Sequence, residues 1–266
     1  MNRMIFALGG AAAVVVVGVL ALGLYFNSPG VGAPPSPSPT PELTPAATST
    51  PTTTPTATAE PTNTPDAGLP EGPYVLDPDG DFSSEDSGMA LSVTIPAPGW
   101  TFAEEWALLE KGTEVDNVPE AAILFWAFPG EELYVPADAC QGTSTRPETP
   151  SATPEEIAAA LAAQTPRDGS EPVDVTLSGY EGKFTALSVP GDAELGECEE
   201  GEFVQYVTSK GDFVRNAQGP GQIEELWILD VDGTIVIIFA TYRPDTPAAL
   251  VEEMRGMVDS TTFDTP

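Results

Sequence analysis

The chain contains no histidine among its 266 residues. That absence removes the usual general base at neutral pH, the common activator of a nucleophile and the commonest zinc ligand. Nucleophile and phosphate signatures are missing too. There is no Gly-x-Ser-x-Gly, no Ser-x-x-Lys and no Gly-x-x-x-x-Gly-Lys. Several enzyme classes are excluded on these grounds, and no motif points to another. Bases are scarce as well: nine Lys and Arg stand against 41 acids, for a formal net charge of −32. Beyond residue 66 the balance is 38 acids to 8 bases, a net of −30. Such a surface repels nucleic acid and anionic lipid head groups. It suits cations or basic partners, and solubility alone also accounts for it.

Cysteine is nearly absent. Cys140 and Cys198 are the only two, and they lack Cys-x-x-Cys spacing. A structural bridge is therefore the expectation, with a reactive thiol pair as the alternative.

One long apolar run is present. Met4–Phe26 carries no charge over 23 residues. As a helix it would span roughly 34 Å, enough for a hydrocarbon core of about 30 Å. Arg3 precedes it, and the next base is Lys111. The positive-inside bias then sets the N-terminus in the cytoplasm and the remainder outside. An uncleaved single-pass anchor over residues 1–27 is expected. A cleaved signal peptide ending near Val31-Gly32-Ala33 is the alternative, and a lipidated cysteine is excluded because none is near.

Ser28–Asp66 holds eleven Pro, eleven Thr and four Ser. It cannot bury enough apolar surface to offset its ordering entropy. Pro at this density favours an extended stalk, glycosylated or bare. Residues 67–88 form an acidic transition. Asp77-Pro78-Asp79-Gly80-Asp81 superficially matches a calcium loop, but Phe82 and Gly88 stand where such a loop needs Gly and an acid. The folded domain is expected over residues 89–266.

That domain is organised around Glu224–Tyr242. Asp230-Val231-Asp232-Gly233 separates two continuous apolar runs, Leu226–Leu229 and Ile235–Phe239. Asp-Gly between such runs predicts a hairpin, and continuous apolarity predicts strands covered on both faces. Leu91, Val93 and Ile95 alternate with polar residues as a half-buried strand. Phe102–Leu109 reads as a second strand and Ala121–Phe128 as a third. Thr153-Pro154-Glu155-Glu156 has the form of a capping box opening a helix. Tyr180–Val189 shifts its apolar parity between Phe184 and Leu187, which predicts a bulge. Thr246-Pro247 repeats the helix-start device, ahead of a stripe at Leu250, Val251, Met254, Met257 and Val258. The expected class is α+β: a mostly antiparallel sheet flanked by two helices, in one domain.

Candidate sites are few. Glu199, Glu200 and Glu202 offer oxygens to a divalent cation, but a solvated acidic loop is the default reading. Asp230 and Asp232 form a tempting carboxylate pair, but the turn already accounts for both. Trp100 and Trp106 border turns and acids, so either is a candidate lining of a ligand groove. No cofactor is implied. The reading is a non-catalytic binding or sensing domain, with an unknown cell-envelope ligand or membrane protein as partner. The alternatives are a structural accessory subunit and, less favoured, a carboxylate-based glycan hydrolase.

Several short motifs occur in order: Pro98-Gly99-Trp100, Ala137-Asp138-Ala139-Cys140, Gly179-Tyr180-Glu181-Gly182-Lys183, Gly219-Pro220-Gly221-Gln222 and Leu226–Gly233. Together they resemble poorly characterised, membrane-anchored extracytoplasmic domains of actinomycete-type bacteria. More distantly, the strand into Gly99-Trp100 and the closing helix into Val258–Phe263 are similar to PsbP-like folds. That likeness implies an antiparallel sheet with helices on its faces, and it carries no ligand or catalytic residue.

Overall fold

The computed structural model describes residues 68–78, 87–115, 118–201, 203–208 and 214–266. The expected anchor at Met4–Phe26, the linker 28–66 and residues 67 and 79–86 of the acidic segment lie outside them. In chain order the elements are β1 (Gly72–Leu76), β2 (Ala90–Ile95), β3 (Thr101–Ala103), β4 (Leu108–Lys111), β5 (Ala121–Phe128), β6 (Leu133–Tyr134), α1 (Pro154–Ala163) and β7 (Asp168–Gly169). There follow β8 (Val173–Leu177), β9 (Tyr180–Ser188), β10 (Phe203–Thr208), β11 (Val214–Ala217), β12 (Ile223–Val231), β13 (Thr234–Tyr242), α2 (Ala248–Asp259) and β14 (Thr262–Asp264).

The β12–β13 hairpin sits at the centre of an antiparallel sheet ordered β3-β4-β5-β13-β12-β9-β7, with β8 also on the outer edge of β9. Asp232 and Gly233 both take positive φ, 52° and 90°, as a two-residue hairpin turn requires. Asp230 Oδ1 accepts the Gly233 amide at 2.8 Å. Both faces of the hairpin are covered. Neighbours on a strand point to opposite faces, and Glu224 and Glu225 report what covers each. Glu225 accepts two hydrogen bonds from Arg255 of α2. Glu224 meets Arg167, which follows α1, and Arg215 of β11.

On the α2 side, Leu250, Val251, Met254, Met257 and Val258 are all buried, as the stripe predicts. They pack on β5 and β13, beside a small sheet ordered β1-β2-β14. On the other side lie α1 and a second small sheet, β11-β10-β6. β5 is buried along its whole length, consistent with a strand between two layers.

Four details differ from expectation. Strand β1 falls inside the 67–88 segment and pairs with β2, because Tyr74 and Leu76 alternate inward. The predicted strand Phe102–Leu109 is broken into β3 and β4 by a tight helical turn at Glu104–Trp106, closed by Ala107 at φ 45°. β9 carries no bulge: its register with β12 runs unbroken from Ser188 to Gly182. The shifted parity reflects packing on both faces, Phe184 meeting Trp227 on one while Leu187 is buried on the other. Thr246 does not cap α2; its hydroxyl accepts the Arg243 amide and donates to the Glu120 carbonyl. The α1 cap is as expected, with Thr153 Oγ1 accepting the Glu156 amide at 3.2 Å.

Cys140 and Cys198 form a disulfide across 58 positions of sequence. It closes the segment over a satellite core of Ala139, Val189, Phe203 and Ala217. A loop of this length restricts the unfolded chain by about 4 kcal/mol on the chain-entropy account. Reductant should therefore lower the melting temperature by several degrees, on the order of 10 °C; identical melting in calorimetry with and without it would contradict this. Gly182 permits close approach of β12, since a Cβ there would lie 2.1 Å from the Ile228 carbonyl oxygen. Gly182→Ala should cost about 2 kcal/mol or more in urea unfolding, and an unshifted midpoint would show that the strands simply part.

Candidate functional site

The two covering layers are unequal. On the Glu224 face, α1 packs against β9, β12 and β7, and β11-β10-β6 covers the middle. The β4–β5 side of that face is left as a pocket of about 410 Å³. Register places its floor. Leu108 lies opposite Leu124, Glu110 opposite Ala122, and Ala122 opposite Thr241, so these five share one face of the sheet. Trp126, two residues along β5 from Leu124, extends the row.

The walls come from less regular backbone. The turn ending in left-handed Ala107 presents Trp106, which is 45% exposed. Its position is fixed from below, because Trp126 Nε1 donates to the Trp106 carbonyl at 2.8 Å. Glu114, Pro119, Arg215, Asn216 and Gln218 complete the lining. The Arg215 guanidinium lies 5.3 Å from the ring centres of both Trp126 and Phe239, within cation–π range.

Behind Arg215 is a buried polar cluster. The fully buried Glu224 carboxylate accepts from Arg167 Nη2 at 2.5 Å, Arg215 Nη2 at 3.2 Å, Gln222 Nε2 at 2.9 Å, and Gln205 Nε2. Gln222 Nε2 also donates to Thr241 Oγ1. Gln164, at the end of α1, donates to the carbonyls of Pro136, Val204 and Gln205 and accepts from Arg167. Burial alone would raise the Glu224 pKa. Arg167 and Arg215, with the Gln205 hydrogen bond, overcome it and hold the carboxyl below its ordinary value. Burial pulls the Arg167 guanidinium down from its usual value; Glu224 opposes this and Arg215 adds to it.

Of the residues singled out from sequence, Trp106 lines the pocket and Trp100 does not. Trp100 is fully buried, its Nε1 donating to Glu253 of α2, so the two tryptophans do not form one groove. Trp126 is core, as expected, but also lines the pocket; Trp227 is only partly buried. Glu199 lies beside the disulfide, where its carboxylate accepts from the Ser144 amide at 3.0 Å and the Ser144 hydroxyl at 2.6 Å. The Glu200 side chain and Glu202 lie outside the described residues. Among the described residues no three Cys, Asp or Glu side chains gather as a metal site would need. Asp232 is occupied as a turn residue, accepting from Tyr180 and Thr265.

Sequence reasoning missed the Glu224 cluster. The available signal was two arginines, among only nine bases, lying next to or within strands.

No protein-family model matches the chain, and no curated protein matches it. Solved structures overlap it at low scores. A protein from Bacteroides thetaiotaomicron overlaps 74% of this chain at 12% identity and TM-score 0.35; the overlap spans 49% of that protein, about half its length. LpqN, involved in cell envelope biogenesis of Mycobacterium tuberculosis, overlaps 75% of this chain and 87% of its own at 13% identity and TM-score 0.33. The cyanobacterial PsbP of Synechocystis sp. PCC 6803 overlaps 74% and 95% at 9% identity and TM-score 0.33. None assigns a family, a ligand or a partner.

Removing the Glu224 charge leaves two buried guanidiniums without their anion. Glu224→Gln should destabilise the fold by about 3–5 kcal/mol, read as a lower urea midpoint. Because the native carboxyl titrates below its ordinary value of 4.5, its contribution is complete above that pH and is lost as pH falls through the depressed native value. The unaltered chain should thus lose more stability than Glu224→Gln between about pH 5 and pH 3. Parallel acid curves for the two would refute the assignment.

Proposed function

We propose that this chain is a non-catalytic binding or sensing module of the cell envelope, held outside the membrane by an N-terminal helix and a Pro/Thr-rich stalk, and that it binds a small ligand in the pocket at Trp106. One observation carries the binding part: a solvent-exposed tryptophan and a buried arginine line the same concave, largely apolar site. Sites for small molecules combine an apolar lining with a few convergent polar groups, at volumes of about 300–1,000 Å³, and the 410 Å³ here falls in that range. An exposed indole costs solubility and gains contact area when a ligand covers it. The disulfide supports an oxidising compartment, which agrees with display outside the cytoplasm. The absence of His anywhere in the chain favours binding over turnover.

The test is retention. Full-length chain purified from membranes of the producing cells is mixed with a low-molecular-weight extract of their envelopes, ultrafiltered, and the retained compounds identified. A compound should stay with the unaltered chain and be lost with Trp106→Ala, whose melting temperature should change by under about 2 °C because the side chain lies at the surface. Equal retention by both proteins, or none by either, would defeat the pocket as the site.

A further inference from the structure

The charges around the pocket are sorted by depth. On the inner side, Arg215 is 6% exposed and shares Glu224, its only carboxylate partner among the described residues, with Arg167. The hydrogen-bonded cluster sets two guanidiniums against the single Glu224 carboxylate, and among the described residues Arg215 Nε has no hydrogen-bond partner. Asn216, the next residue on the same wall, carries a buried Oδ1 that is likewise without one. Glu110 and Glu114 are exposed carboxylates that line the same pocket as the exposed Trp106. A cation in a low-dielectric wall attracts an anion far more strongly than a solvated one does. A carboxylate pair beside an indole face is the chemistry that holds an ammonium group.

Resting on the reading of this pocket as the binding site, we infer that its ligand is a zwitterion of the amino-acid or short-peptide type. The ligand's carboxylate faces inward to Arg215 and its ammonium outward to Glu110, Glu114 and Trp106. The ligand's apolar body lies on Leu108, Ala122 and Leu124. This polarity also accommodates the whole domain. A ligand with net negative charge would approach against the field of a surface carrying about thirty excess acids, whereas a zwitterion is neutral overall and pays no such penalty. A bare cation would satisfy the rim and leave the inner guanidiniums with Glu224 alone.

The test uses the full-length chain in detergent and titrates a panel of alanyl dipeptides with acidic, basic, apolar and aromatic second residues, followed by tryptophan fluorescence. Two blocked series accompany it, N-acetylated and C-terminally amidated, with maltose as a neutral polyol. At least one free dipeptide should change the fluorescence saturably. Each block should weaken it about tenfold or more, since each removes one charge-assisted contact. The double variant Glu110→Gln with Glu114→Gln, altered only at exposed positions, should weaken the free dipeptide and leave the N-acetyl form unchanged. A saturable response to maltose but to no dipeptide would overturn the zwitterion and preserve the pocket. Equal affinity of free and blocked peptides would overturn it as well. No response to any probe, together with no effect of Trp106→Ala on retention from the envelope extract, would overturn both.

Discussion

The fold depends on one buried carboxylate. Glu224 sits on the central strand β12 and faces the layer formed by α1 and the β11-β10-β6 sheet. Its partners come from four places in the chain: Arg167 after α1, Gln205 on β10, Arg215 on β11 and Gln222 beside it on the approach to β12. Placing a charge there is expensive, and only near-complete pairing makes it tolerable. What the cluster provides is position. Apolar packing alone would let a small sheet slide over a larger one at little cost. A shared carboxylate with directional donors allows one placement, because any other leaves buried charges unmatched.

The same cluster explains why a cavity exists where it does. The small sheet is held over β12 and β13 by Glu224, and it is only three strands wide. The large sheet continues past it through β5 and β4 to the edge strand β3. The uncovered strip between the end of the upper layer and the turn at Trp106 becomes the pocket floor. Arg215 belongs to both structures. Its Nη2 is committed to Glu224 while its guanidinium rests on Trp126 and Phe239 at the pocket wall. A change in the cluster is therefore felt in the pocket.

Much of the fold was legible because its signals are local or periodic. The hairpin at Asp232-Gly233, the covered strand β5, the α1 cap at Thr153 and the stripe of α2 each follow from a few adjacent residues. On β9, two covered faces misled sequence reasoning. The shifted parity suggested a bulge, yet no shift of register is needed when Phe184 and Leu187 each have a layer to pack against. The break between β3 and β4 was hidden for a different reason: Phe102, Trp106 and Leu109 suit a strand, and only the left-handed Ala107 turns the chain out. Of the site, Trp106 was legible as a tryptophan bordering a turn and acidic residues. Trp100 looked the same in sequence and is buried under α2. Arg215 and Glu224 were not legible as partners, since nine positions separate them and nothing local says that both face inward.

Burial depth decides which charges matter here. Glu110, Glu114 and most of the domain's other acids stand in water, where each interaction is weakened by solvent and salt. Arg167, Arg215 and Glu224 are withdrawn from it. A net charge of −30 beyond residue 66 therefore describes the long-range field and not the pocket wall. On the proposal of a zwitterionic ligand, approaching molecules are sorted by the field and arriving ones by the buried guanidinium of opposite sign. The two requirements act at different distances, so one ligand can meet both only by carrying both charges itself.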